Sequence, residues 1–333
     1  MSLAIYTPDY SSRDEIANAT AVQMSVYYND IGKIIIDVPI NDHNIALLKN
    51  DSMVYDTKKK LAFIIKNVKT DTTQNRITAN GFTTNQRLNG RVIAAPVAVS
   101  AVESGVYSVV NENLRGMERT VTAPSKGLTE KTRVTLYGGE ILTQIMPVLS
   151  NAGLGNRMNW NHRAMQHIFE IYKGNDLTTG MHAVIFSDEQ GTANDLVIND
   201  DVSTFKNVGY GVAKYNDTEI MEVVGTATGD DRHEQWFEIG LNAEEGETEE
   251  QFRARLRNHI AMELGKLFKK LSFSVVIDPA ELGVLYNIGD IVSCVSKRFG
   301  VRFNARILGM KHKKDAKSES TEIILGEPIL TAI

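Results

Sequence analysis

Short β-prone runs closed by polar turns recur from one end of this chain to the other, and such a rhythm admits few architectures besides packed antiparallel sheets. Ala21–Tyr28 and Lys33–Pro39 flank Asn29-Asp30-Ile31-Gly32, a four-residue hairpin connection in which Gly32 is free to take positive φ. Pro39 and Asn41-Asp42 close the second strand, because proline donates nothing to a ladder. Asp42–Lys49 reads as one or two helical turns, with Asp42 as N-cap and Ile45, Leu47 and Leu48 facing inward. Strands follow at 52–55, 61–68 and 75–81, and the alternation returns after Gly180 at 182–186, 195–199, 208–214, 219–225 and 235–241. The last strands are expected at 272–277, 290–296, 302–311 and 320–325.

Helical spacing interrupts this pattern in two places. Ile141, Leu142, Ile145, Met146 and Leu149 fit a helix that Pro147 shortens or kinks, and Asn151–Asn161 after it reads as loop. Val106–Val110 fits either a strand or a short helix. A longer helix spans Glu249–Leu271: Thr248 and Gln251 have capping-box spacing, and Phe252, Leu256, Ile260, Leu264, Leu267 and Leu271 form one stripe. Arg253, Arg257, Glu263, Lys266 and Lys270 take the opposite face. The class is α+β, mainly β: two antiparallel β-barrel-like domains, a smaller mixed insertion and one long amphipathic helix. The boundaries are 1–100, 101–180 and 181–333, with the helix at 249–271 inside the third part.

At 333 residues, 42% hydrophobic and 23% charged, the composition is that of a soluble globular protein. Apolar runs such as Ile34–Ile36 and Val106–Val110 fall far short of the roughly 18 residues of a membrane span, and the N-terminus lacks the basic and apolar regions of a secretory signal. Neither export by that route nor stable membrane insertion is expected. Net charge is −5, and Lys58-Lys59-Lys60 and Lys311–Lys314 are short enough to be solvated loops, so no dedicated grip on DNA is expected.

Catalytic signatures are missing as well. There is no P-loop, and Gly153-x-Gly155 and Gly209-x-Gly211 lack the rest of a dinucleotide fingerprint. None of His43, His162, His167, His182, His233, His259 or His312 sits in a zinc-binding spacing, and no GxSxG elbow occurs. Cys294 lies in an alternating strand and reads as a small buried hydrophobe. The acidic groups at Asp200-Asp201, Asp230-Asp231 and Glu244–Glu250 suit turns and a helix start. The sequence therefore offers no catalytic, cofactor-binding or metal-binding residues, and the chain is not expected to be an enzyme.

Several motifs fall in a familiar order. Tyr28-Asn29-Asp30-Ile31-Gly32-Lys33-Ile34-Ile35-Ile36-Asp37-Val38-Pro39, then Asn44, Leu47-Leu48, Gly81-Phe82, Leu88 and Arg91, resemble the N-terminal part of the hub, or tail-associated, proteins at the tip of long siphovirus-type phage tails. Tyr286-Asn287-Ile288-Gly289-Asp290-Ile291-Val292, Gly300-Val301 and Ala305-Arg306-Ile307 are similar to that family's closing strands, and the long helix stands where the family places one. The chain departs at Met24, where a tryptophan is common, and at Asn50-Asp51, where a glycine usually follows the double leucine. The match extends to the structural N-terminal module of tail-associated lysins.

The resemblance implies a baseplate hub: a homotrimer whose two barrel-like domains per subunit give six similar units, joining a sixfold tail tube to a threefold tip. Its implied partners are the distal tail protein, the tail tube protein and a tail-tip or tape-measure protein, with DNA only in transit. The implied location is the virion tail, after assembly in the bacterial host cytoplasm. Longer relatives carry a C-terminal peptidoglycan-cleaving domain, for which the chain leaves no room before Ile333. The alternative is a tail-tip carbohydrate-binding or cell-wall-hydrolysing protein, which needs exposed aromatics, of which Trp160 and Trp236 are the candidates, or a carboxylate pair across a cleft.

Overall fold

Alternation places every second side chain of the first hairpin on one face. In β3 (Ala21–Tyr27) and β4 (Lys33–Pro39), Val22, Met24, Ile34, Ile36 and Val38 are buried while Gln23, Lys33 and Ile35 face out. The computed structural model describes residues 3–187, 189, 195–244, 246–265, 267, 270–277, 281–297, 300–327 and 329; at 195–196, 198–201, 270–273 and 301 only the backbone is described. Preceding the hairpin are β1 (Leu3–Tyr6) and β2 (Arg13–Ile16), two strands the sequence did not suggest. After it come a one-turn helix α1 (Asp42–Leu47), β5 (Met53–Asp56), β6 (Leu61–Asp71) and β7 (Arg76–Thr83). Asn41, rather than Asp42, caps α1: its side chain accepts from the Asn44 amide at 2.8 Å. Ile45 points to solvent, and Asn44 is the buried member, donating to Pro39 O at 2.8 Å.

The middle of the chain adds a second core. β8 (Val97–Ala101) runs into α2 (Val102–Asn113), followed by β9 (Thr120–Thr122), β10 (Lys131–Leu136), α3 (Ile141–Asn151), β11 (Gly155–Asn161) and β12 (Gln166–Tyr172). Helix α3 continues through Pro147, and the segment expected to be a loop is instead β11, paired in register with β12 from Gly155↔Tyr172 to Asn161↔Gln166. Val102, Val106, Val109, Ile141, Ile145, Leu149, Phe169 and Ile171 are all buried in this core.

Beyond it lie β13 (Ile185–Ser187), β14 (Asp195–Asp201), β15 (Val208–Tyr215), β16 (Thr218–Val224), β17 (Glu234–Glu238), α4 (Glu249–Leu264), β18 (Lys270–Ile277), β19 (Ile291–Ser296), β20 (Val301–Asp315) and β21 (Glu319–Leu325). The closing strands do not form a sheet of their own. β20 pairs with β3, opposing Met310 to Val26 and His312 to Met24, so the largest sheet contains the run β21-β20-β3-β4-β7-β6-β5-β1-β2. Lys311–Lys314 is thus strand rather than loop; the lysines alternate with a buried His312 that bonds Thr321 at 2.8 Å. Among the described residues no sheet closes into a barrel.

The chain divides into two compact units, Met1–Val197 with Ser274–Ile333, and Ile198–Phe273. This differs from the three parts at 1–100, 101–180 and 181–333, because pairing between β20 and β3 joins strands almost three hundred positions apart. The second unit is the sheet β16-β15-β17 covered on one face by α4, with Phe252, Leu256 and Ile260 buried at spacings of four. Thr248 and Gln251 form the expected capping box. The helix ends at Leu264 against a Gly265 C-cap, not at Leu271. The stripe Leu264, Leu267, Leu271 fooled the periodicity because Lys270 and Leu271 open β18; Lys266 and the side chains of Lys270 and Leu271 lie outside the described residues. Thr248→Ala removes one side of the box and should lower the second unit's stability by about 1 kcal/mol, read as a lower midpoint in denaturant unfolding; an unchanged midpoint would show the cap to be idle.

Candidate functional site

The residues that carry the family resemblance at the two ends of the chain meet at one place in the first unit. Tyr28 leaves β3 buried, its hydroxyl 3.0 Å from Gly153 O and 3.2 Å from Tyr172 O, and its ring set edge-on to Tyr172 at 5.1 Å. Arg306 of β20 lies 5.3 Å from the Tyr28 ring centroid and donates to Gly289 O at 2.6 Å. Burial, only partly offset by Arg306, raises the Tyr28 pKa and keeps the hydroxyl a donor. Gly289 is at φ +101°, and a Cβ there would run into the Tyr28 ring, so both conformation and space demand glycine. The next residue, Asp290, accepts from the amides of Asn175 at 2.8 Å and Asn287 at 2.7 Å, which fixes the turn.

The hairpin turn is held by a directional chain of hydrogen bonds. Gly32 N–H donates to Thr83 Oγ1 at 2.8 Å, Thr83 to Asn85 at 2.7 Å, Asn85 to Asn156 at 2.9 Å, Asn156 to Asn29 at 2.9 Å, and Asn29 to Met146 O at 2.8 Å. Gly32 is needed for close approach rather than for positive φ, since a Cβ would collide with Ser25 O. One junction thereby ties the first hairpin to β7, β11, α3 and the closing strands. Its groups are amides, a hydroxyl, a phenol, a guanidinium that donates to a carbonyl and a carboxylate bound by two backbone amides, an arrangement suited to holding elements in place.

A second polar cluster joins β1 to β11 and β12. Trp160 stacks on Tyr10 at 5.2 Å and meets Tyr6 and His167 at 5.4 and 4.8 Å, and the Tyr10 hydroxyl bonds His167 Nε2 at 2.7 Å. Burial first, then Arg87 and Arg119, push the His167 pKa down to about 3. Nearby on β12, Glu170 is held at about 2: burial raises its pKa, but hydrogen bonds from Arg157, Lys126 and Asn159 outweigh it.

The other sequence candidates are scattered. Cys294 is fully buried on β19, and burial alone pushes its thiol up to about 12, so it stays protonated. His43, His162, His182 and His233 are exposed and His259 is half-buried. Glu247 and Glu249 pair with Arg255 and Arg253, Asp230 and Asp231 sit in an exposed turn, and the side chains of Asp200 and Asp201 lie outside the described residues. Trp160 is core, whereas Trp236 is half-exposed on β17. Among the described residues no three His, Cys, Asp or Glu side chains gather as metal ligands would. The amide chain through Asn85 and Asn156 had no sequence signal, because asparagine in a turn is commonplace.

Residues 2–327 match the profile of the Siphovirus ReqiPepy6 Gp37-like protein family. No curated protein sequence matches. The fold is shared with a tail protein from Neisseria meningitidis MC58, at TM-score 0.63 and 11% identity over 98% of this chain and 96% of that one. It is also shared with the 43 kDa tail protein of prophage MuSo2 from Shewanella oneidensis, at 0.59 and 11% over 98% and 99%. Prophage tail protein gp18 from Listeria monocytogenes EGD-e gives 0.54 and 15% over 98% and 94%. Matched along nearly its whole length, the chain belongs to the Siphovirus ReqiPepy6 Gp37-like protein family.

Proposed function

We propose that this chain is a structural component of a phage tail, the baseplate hub: a homotrimeric ring, without enzymatic activity, that joins the sixfold tail tube and distal tail protein to a threefold tip and lets the genome pass. The observation that carries this reading is the junction. Tyr28, Asn29 and Gly32 from the first hairpin and Gly289, Asp290 and Arg306 from the closing strands, which carry the resemblance to hub proteins, converge there and hold both ends of the first unit in one sheet. A ring then needs a heterologous interface whose rotation closes after three copies. Partners would be the tube, distal-tail and tail-tip or tape-measure proteins, assembled in the host cytoplasm. Light scattering on the purified chain, alone and with its tail neighbours, tests the ring: the expected particle has three times the 36.9 kDa of one chain. A mass that stays at one chain under both conditions would overturn it.

A further inference from the structure

The turn between β1 and β2 sends an aromatic side chain back into the first unit. Thr7, Asp9 and Ser11 bond within the turn: the Thr7 hydroxyl donates to Asp9 at 2.6 Å, the Ser11 amide to Asp9 at 3.1 Å, and the Ser12 amide to the Thr7 hydroxyl at 3.1 Å. Tyr10 instead turns inward at φ +61°, its ring stacked on Trp160 and its hydroxyl bonded to His167 Nε2. The left-handed region is costly for a bulky residue, so these contacts hold the closed position against backbone strain.

What Tyr10 covers is incompletely satisfied. Trp160 is 6% exposed and His167 fully buried, yet Trp160 Nε1 and His167 Nδ1 meet no hydrogen-bond partner among the described residues. Across the sheet His167 is flanked by Trp160 on β11 and Thr120 on β9, neither of which carries charge. The charges that reach it are Arg87 and Arg119, both opposed to a second proton, and Arg119 also lies 5.4 Å from the Tyr10 ring centroid. The acids of neighbouring elements are committed elsewhere: Asp9 within the turn, Glu15 to Arg13, Asp51 to Lys66, and Glu170, on the other face of β12, to Lys126 and Arg157. Tyr10 itself stays a phenol, its pKa raised by burial.

Withdrawal of Tyr10 lets water reach the imidazole and the indole N–H together, and returns His167 toward its ordinary value of about 6.5. The open form then binds a proton that the closed form, at about 3, refuses. Acid therefore favours opening, by up to about tenfold per pH unit between those two values. No strand need leave the sheet, because β1 keeps its pairing with β5 from Leu3↔Asp56 to Tyr6↔Met53. We propose that Tyr10 is an acid-released plug: below neutral pH its ring leaves Trp160 and His167 and uncovers them, while the sheet behind stays folded.

The test is hydrogen exchange at the Trp160 indole N–H, followed by NMR on the full chain and referenced to free N-acetyltryptophanamide at each pH, with Trp236→Phe to assign the signal. From pH 6.5 to 4.5 its protection should fall by about tenfold per unit. It should stay about a hundredfold or more below that of the β3 and β4 amides and ignore sub-denaturing urea, as a local opening does. Tyr10→Ala should leave the indole unprotected at every pH, and His167→Gln should keep it protected with no pH slope. Protection equal to that of the β3 and β4 amides, and lowered by urea, would mean that only unfolding frees the indole, and the proposal fails. It fails as well if the slope survives in His167→Gln or if Tyr10→Ala leaves protection unchanged.

Discussion

Tyr28→Ala is expected to destabilise the first unit by about 3–5 kcal/mol, the usual effect of removing a large aromatic side chain from a packed site. The ring fills the space between Tyr172, Gly289 and Arg306, and Gly289 brings no side chain to refill it. Its hydroxyl also serves the carbonyls of Gly153 and Tyr172. Tyr28→Phe separates the two contributions: it keeps the ring, loses the donor and should be about 1 kcal/mol less stable than the parent. Urea unfolding followed by far-UV circular dichroism measures both. Near-equal effects of the two variants would mean that the ring contributes little and that the junction is not where the ends of the chain are secured.

A strong pH dependence is the second large expectation. His167 is buried and neutral in the folded chain, with a pKa of about 3, against about 6.5 when unfolded. Between those values the unfolded chain binds a proton that the folded chain refuses, so stability falls as pH falls, at about 1.4 kcal/mol per pH unit. His312, its pKa also lowered chiefly by burial, acts in the same direction. Glu170 adds a loss of the same sign only below about 4.5, as its protonation breaks the bonds from Arg157 and Lys126. The window from pH 6.5 to 4.5 therefore isolates the histidines. His167→Gln should be less stable than the parent at pH 7 and show a flatter profile through that window, measured as melting temperature against pH. A profile as steep as the parent's would exclude His167 as its source.

Much of the fold can be read from local pattern, because strand alternation and helix capping are short-range. Val22, Met24, Ile34 and Ile36 declare their face within one hairpin, and Thr248 with Gln251 declares the start of α4 within four positions. What escaped was set by distant partners. Gly155–Asn161 is a strand because β12 pairs with it, while Asn156, Asn159 and Asn161 within it mimic a loop. Lys311 and Lys313 look like a solvated run because the buried His312 between them is explained only by Met24 and Thr321 across the sheet. The end of α4 was misplaced for a related reason: apolar residues three and four apart also fit a turn leading into a strand. The junction was half legible. Tyr28, Gly289 and Arg306 stand out in the sequence as parts of two motifs, but the Asn85–Asn156–Asn29 chain that completes it depends on a meeting of three separate segments.

A reconstruction of the intact virion tail at side-chain resolution tests the central claim most directly. The hub reading expects three copies of this chain in a closed ring at the tip, against the last sixfold ring of the tube, with an open channel through the centre. Six copies stacked along the tube, or a tip ring built from other chains, would contradict it.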